Sequence, residues 1–132
     1  MFTPVYGFSG FSVHDVHAAQ SFYGETLGLD VSLGGMGILE IALPGGARAI
    51  AYPKGDAHEP ATFTILNFEV DDIDEAVRSL NERGVSTKIY GDEPGMPPTD
   101  ERGISRGKAA GQGPDIAWFR DPSGNVLSVL ST

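Results

Sequence analysis

The chain's stock of reactive side chains is small: three histidines, no cysteine, and carboxylates spread along its length. Without cysteine, disulfides and cysteine–zinc sites are excluded. His14 and His17 stand three residues apart, but His14 falls in a turn ahead of a helix. Asp15 is the only further ligand close by, and His58 lies in a linker, so the three read as surface histidines rather than a metal site. Ser12 precedes His14 and Asp15, yet adjacency in sequence is not triad geometry. The glycine-rich stretch 91–114 lacks the G-x-x-x-x-G-K-[ST] spacing of a phosphate cradle. Glu69 and Asp100 remain as the candidate general bases.

The elements that must position these groups centre on the stretch FEVDDIDEAVRSLNERG, Phe68 to Gly84. Phe68 and Val70 alternate with Asn67 and Glu69, as in a half-buried strand. Asp72 is placed to cap the next helix, with Glu75 in capping-box position. Ile73, Ala76, Val77 and Leu80 share one helical face, and Gly84 is placed to end the helix. The same device stands 57 residues earlier, where Phe11, Val13, Asp15, Val16 and Ala19 occupy the positions of Phe68, Val70, Asp72, Ile73 and Ala76. That correspondence follows strand, cap and apolar face, and it marks a duplicated module.

In order, the first half reads as a strand Pro4–Val13, a helix from Val16 to about Thr26, a short strand Asp30–Leu33, and a hairpin of Gly37–Leu43 with Ala47–Tyr52. Pro53–Pro60 is a polar linker. The second half reads as a strand Ala61–Val70, a helix Ile73–Arg83, strands Val85–Tyr90, Asp115–Arg120 and Asn125–Leu130, and a turn at Asp121-Pro-Ser-Gly. The stretch 91–114 interrupts this pattern as a long loop without periodicity, either a lid or a solvated insertion. Each half is β-α-β-β-β, so the expected fold is α+β: modules 1–60 and 61–132, eight strands in a curved mixed sheet, helices outside and a central cleft.

Composition narrows the partners. Eighteen acidic against nine basic residues give a net charge of −9, which argues against nucleic acid and anionic membranes and favours a cationic ligand if the charge is focused in a cleft. No apolar run approaches the roughly 20 residues needed to span a bilayer. No signal-peptide pattern is visible either, so a cytoplasmic location is expected.

Three segments carry a family resemblance: FSVHDVHAAQSFYGETLGLDV, FEVDDIDEAVRSLNERGV and WFRDPSGNVLSVL. Together with the duplicated βαβββ order, they make the chain resemble the vicinal oxygen chelate superfamily, which includes glyoxalase I, extradiol dioxygenases and bleomycin-resistance proteins. The resemblance implies inward-facing metal ligands, usually His or Glu. At three of those positions this chain carries Phe8, Ile65 and Ser128, and the strand bearing the remaining one has no His, Asp or Glu. Neither a metal nor another cofactor is therefore expected. The resemblance also implies a homodimer.

By alternation, Phe8 shares a face with Gly10 and Ser12, Ile65 with Asn67 and Glu69, and Trp118 with Ser128. Ile50 and Tyr52 join them if Ile50 faces inward. Apolar walls with a few polar points suit a small organic ligand, although the same side chains can fill the cleft as a second core. In the loop, Asp100, Glu101, Arg102 and Arg106 are the candidates to close over a ligand. The expected function is metal-independent binding of an aromatic or amphipathic compound, cationic ones included. The alternative is a glyoxalase-like lyase or isomerase, or a dioxygenase-like enzyme, with non-standard active-site residues.

Overall fold

The computed structural model describes residues 1–91 and 93–132, so Asp92, within the loop expected at 91–114, lies outside the described residues. The chain divides into two compact units, Met1–Pro60 and Ala61–Thr132.

The first unit holds β1 (Ser9–Val13), α1 (Val16–Ser21), β2 (Asp30–Leu33), β3 (Leu39–Ala42) and β4 (Arg48–Pro53). Asp15 starts α1 by accepting hydrogen bonds from the backbone N–H groups of His17 (2.9 Å) and Ala18 (3.4 Å). The helix expected to reach Thr26 ends as an α-helix at Ser21 and continues as one π-helical turn, Phe22–Thr26. That wider turn brings Gly24 so close to β2 that a Cβ there would lie 2.8 Å from Val31 Cγ2. The sheet order is β1-β4-β3-β2, with β1 parallel to β4 and the other pairs antiparallel. Phe11, Val13, Leu39, Ile41, Ala49 and Ala51 point to the helix-bearing face and are buried with Val16, Ala19, Phe22 and Tyr23. Tyr23 meets Phe22 edge-on at 5.2 Å and Phe11 at 5.7 Å.

The second unit holds β5 (Thr64–Glu69), α2 (Ile73–Glu82), β6 (Ser105–Arg106), β7 (Asp115–Arg120) and β8 (Val126–Ser131). Its sheet order, β5-β8-β7-β6, repeats that of the first unit, again with the outer pair β5–β8 parallel. The protein is thus α+β, with eight strands in two four-stranded mixed sheets. Asp72 caps α2 through the Glu75 N–H (3.1 Å), while the Glu75 carboxylate turns to Arg78. Gly84, at φ +83°, closes the helix: its N–H reaches Asn81 O (3.0 Å) and the Val85 N–H reaches Leu80 O (3.0 Å). Ile73, Val77 and Leu80 are buried on the sheet side. Each such side chain contributes about 1.5–3 kcal/mol of burial.

One strand stands elsewhere than the sequence suggests. Residues 85–90 form no strand, and the edge of this sheet is the two-residue β6, inside the stretch expected to be a loop. Val85 and Thr87 are tied to other partners. Asn81 Nδ2 donates to Val85 O (2.9 Å) and Thr87 Oγ1 (3.0 Å), and Thr87 Oγ1 donates to Arg102 O (2.6 Å). Gly103 packs so tightly on this segment that a Cβ there would sit 1.9 Å from Thr87 O. Ile104 anchors the stretch, fully buried, and its N–H donates to Asp100 Oδ1 (2.9 Å).

Candidate functional site

In the first unit, the sheet face away from α1 carries Gly10 and Ser12 on β1, Ile50 and Tyr52 on β4, and Glu40 on β3. The cross-strand pairs Gly10–Ile50, Ser12–Tyr52 and Glu40–Ile50 set this arrangement. A Cβ on Gly10 would come within 3.2 Å of Ile50 Cγ1, so the missing side chain there is space that Ile50 already uses. Ser12 Oγ is hydrogen-bonded to His58 Nδ1 (2.8 Å), which fastens the segment after β4 to β1. Arg48 and Glu40 form an ion pair on the same face. Phe8 does not join this group. It precedes β1, is 61% exposed, and stacks on Tyr6 at 6.0 Å.

In the second unit, the β7–β8 hairpin fixes the geometry. Asp121 Oδ1 accepts from the backbone N–H groups of Ser123 and Asn125 (2.9 Å each), and Oδ2 accepts from Asn125 Nδ2 (3.0 Å). This locked turn places Trp118 opposite Ser128, and Ser128 lies beside Asn67 on β5. On the face away from α2 the side chains therefore form three rows. Asn67, Ser128 and Trp118 make the middle row. Glu69, Leu130 and Ile116 stand at one end, and Thr64, Val126 and Arg120 at the other. Ser128 is fully buried and donates to Asn67 Oδ1 (2.6 Å), whereas Asn67, Glu69 and Arg120 are exposed. Tyr90 meets Trp118 edge-on at 5.5 Å and braces the indole. Ile65 stands at a bulge where the β5–β8 register shifts between Thr64 and Leu66. Its side chain therefore falls outside the regular alternation that carries Asn67 and Glu69.

The loop residues collect on the other side of this sheet. Arg106 on β6 is paired with Asp115, whose strand alternation places it on the helix-bearing face. Arg106 makes two hydrogen bonds to Asp74 in the first turn of α2 (2.7 and 3.1 Å), and Arg102 bonds the same carboxylate. The bonds from Arg106, then those from Arg102, hold the Asp74 pKa down at about 2. Asp100 Oδ1 accepts from the N–H groups of Arg102 and Ile104 (2.9 Å each), closing a turn. Glu101 and Arg102 line a depression of about 400 Å³ at the C-terminal end of α2.

The donor set at the positions where the family resemblance implies a metal does not fit a divalent cation. Phe8, Ile65 and the Ile50–Tyr52 stretch offer no imidazole or carboxylate, and the Ser128 hydroxyl is given to Asn67. Among the described residues, no group of three or more His, Cys, Asp or Glu side chains could hold a metal ion.

Two four-stranded sheets with the same strand order, each with one helix on one face, constitute the duplicated architecture. A family model described as Glyoxalase/Bleomycin resistance protein/Dioxygenase superfamily matches residues 8–129. The chain belongs to that superfamily. Solved structures of the same fold include TnmS3, an antibiotic binding protein from Streptomyces sp. CB03234 (26% identity, 98% of each chain covered, TM-score 0.61). Lactoylglutathione lyase from Agrobacterium tumefaciens shares 19% identity over 98% of this chain and 95% of that one, with a TM-score of 0.62. The fosfomycin resistance protein FosX from Listeria monocytogenes shares 12% identity over 99% and 95%, with a TM-score of 0.68. A search of curated proteins finds no significant match.

Against this superfamily background, two features escaped the sequence reading. Tyr90 is read as the end of a strand Val85–Tyr90, and that reading does not foresee its contact with Trp118. The Ser12–His58 bond joins residues 46 apart, and nothing in a linker sequence announces it. No helix among the described residues is long and apolar enough to cross a membrane.

Proposed function

We propose that this member of the superfamily is a metal-independent binding protein that sequesters a small aromatic or amphipathic compound. The observation that carries the reading is the row Trp118–Ser128–Asn67, with an indole braced by Tyr90 at one end and an oriented carboxamide at the other. Apolar surface with a few fixed polar groups is what small organic ligands require. The lack of suitable donors at Phe8, Ile65 and Ser128 supports work without a metal, and the likeness to an antibiotic binding protein supports sequestration. Gly10, Ile50 and Tyr52 stand on the corresponding helix-free face of the first unit. Phe8 and Ile65 take no part in this row, and the loop residues Asp100, Glu101, Arg102 and Arg106 belong to the helix-bearing side, where Arg102 and Arg106 hold Asp74. A cytoplasmic homodimer is the proposed working form. The exposed Phe2, Val5, Tyr6 and Phe8 offer apolar surface for a second copy, and light scattering reports the mass.

The test is a stabilisation screen with aromatic and cationic compounds. A ligand at a hundred times its Kd raises stability by about 2.7 kcal/mol. If no aromatic compound at saturating concentration moves the melting temperature, the reading fails.

An enzyme is the second reading, favoured by one observation. Glu69 is exposed at the end of that face and has no hydrogen-bond or ion-pair partner among the described residues, so its carboxylate is open to a proton on a bound compound. A Glu69→Gln variant that binds ligand but loses turnover would establish it.

A further inference from the structure

The helix-free face of the second unit carries a directional pattern of donors and charges. Ser128 is fully buried, and its hydroxyl hydrogen is given to Asn67 Oδ1. That bond uses the carbonyl end of the Asn67 carboxamide and leaves the NH2 end, two donors, on the exposed side of the row. Asn67 Nδ2 has no partner among the described residues. Glu69 follows two residues later on the same face, about 6.6 Å along the strand. Trp118 lies about 10 Å from Asn67 across β8. Arg120 stands at the far end, diagonal to Glu69, and it too has no partner among the described residues.

Resting on the binding function proposed above, we infer that this face selects a flat aromatic ligand with an acceptor oxygen and a cationic end. The ring lies on Trp118, the acceptor takes the Asn67 NH2, and the cation points toward Glu69 and away from Arg120. Ser128 acts as a positioning residue, because its bond decides which end of the carboxamide the ligand meets. A ligand presenting a donor at that point faces another donor and loses the bond. A ligand with its charge reversed is drawn toward Arg120 and cannot keep ring and acceptor in register.

Three probes separate these requirements: a naphthamide with an aminoethyl chain, the same amide with a hydroxyethyl chain, and naphthylbutylamine, which keeps ring and cation but lacks the carbonyl. Binding is measured by calorimetry and by the indole N–H resonance of Trp118, the only tryptophan. The aminoethyl amide binds tightest. Naphthylbutylamine binds about tenfold weaker, the cost of one hydrogen bond. The hydroxyethyl amide binds about threefold weaker, with a difference that shrinks at high salt. Glu69→Gln abolishes the second preference and leaves the first. Asn67→Leu, which removes the NH2 donors, abolishes the first and leaves the second, and Ser128→Ala, which frees the carboxamide to turn, weakens the first. If all three probes bind equally, the ligand code is overturned while the binding function stands. If none binds, both fall.

Discussion

Ser128 Oγ donates a 2.6 Å hydrogen bond to Asn67 Oδ1 across the parallel β5–β8 pair. The donor is fully buried and the acceptor exposed, so a rigid interior group sets the orientation of a surface one. Replacing Ser128 by Ala leaves Asn67 Oδ1 free to take water. The expected loss is about 1 kcal/mol in urea unfolding, without change in the slope.

Gly103 tests the loop packing. At φ +88°, with Thr87 O 1.9 Å from where a Cβ would stand, Gly103→Ala forces backbone apart from backbone. It is expected to cost about 2–4 kcal/mol. Gly91→Ala, whose Cβ would meet only Glu93 carboxylate oxygens at 3.8 Å and beyond, stays within about 0.5 kcal/mol. Equal effects in chemical denaturation would show that the contact to Thr87 does not hold the loop.

Acid should loosen the same region. The folded pKa of Asp74 is lowered from 3.8 to about 2, so the stabilisation by Arg106 and Arg102 is complete above about pH 5. It is lost as pH falls toward 2, where the folded protein takes up the proton last. The stability difference between the wild-type protein and Asp74→Asn should therefore be constant above pH 5 and vanish toward pH 2. A difference that grows on acidification would contradict the assignment.

The aromatic pair is separable from the polar row. Tyr90→Ala removes the edge contact to Trp118 and should weaken an aromatic probe several-fold, in line with about 0.5–1.5 kcal/mol for such a pair. Trp118→Ala should abolish measurable binding. Unchanged affinity in both variants would move the ligand off this face.

Much of the fold was legible because its signals are local. Asp15 and Asp72 cap the helices they precede, Gly84 closes α2, and the Asp121-Pro-Ser-Gly turn fixes the last hairpin. The segment 85–90 misled for a physical reason. Val85 and Thr87 are buried and Ser86 and Lys88 exposed, the alternation of a strand, but the hydrogen bonds go to Asn81 and Arg102 rather than to a neighbouring strand. Ile104 was invisible as a core residue, since one apolar side chain among glycines and charges has no period. At the candidate site, alternation placed Gly10, Asn67, Glu69, Trp118 and Ser128 on the faces where they stand. It could not foresee that the Arg102 and Arg106 guanidinium groups would be bound to Asp74 on the helix-bearing side.

The bulge at Ile65 also bears on how this strand tolerates change. Because the extra residue is absorbed there, the ladder from Leu66 to Glu69 runs straight whatever the spacing of the chain before it. The bulge behaves like a slip joint: deleting Ile65 would shorten the approach to the sheet and convert the join to a regular pair. Asn67 would stay beside Ser128, so length variation at the start of β5 is mechanically insulated from the row Asn67–Ser128–Trp118.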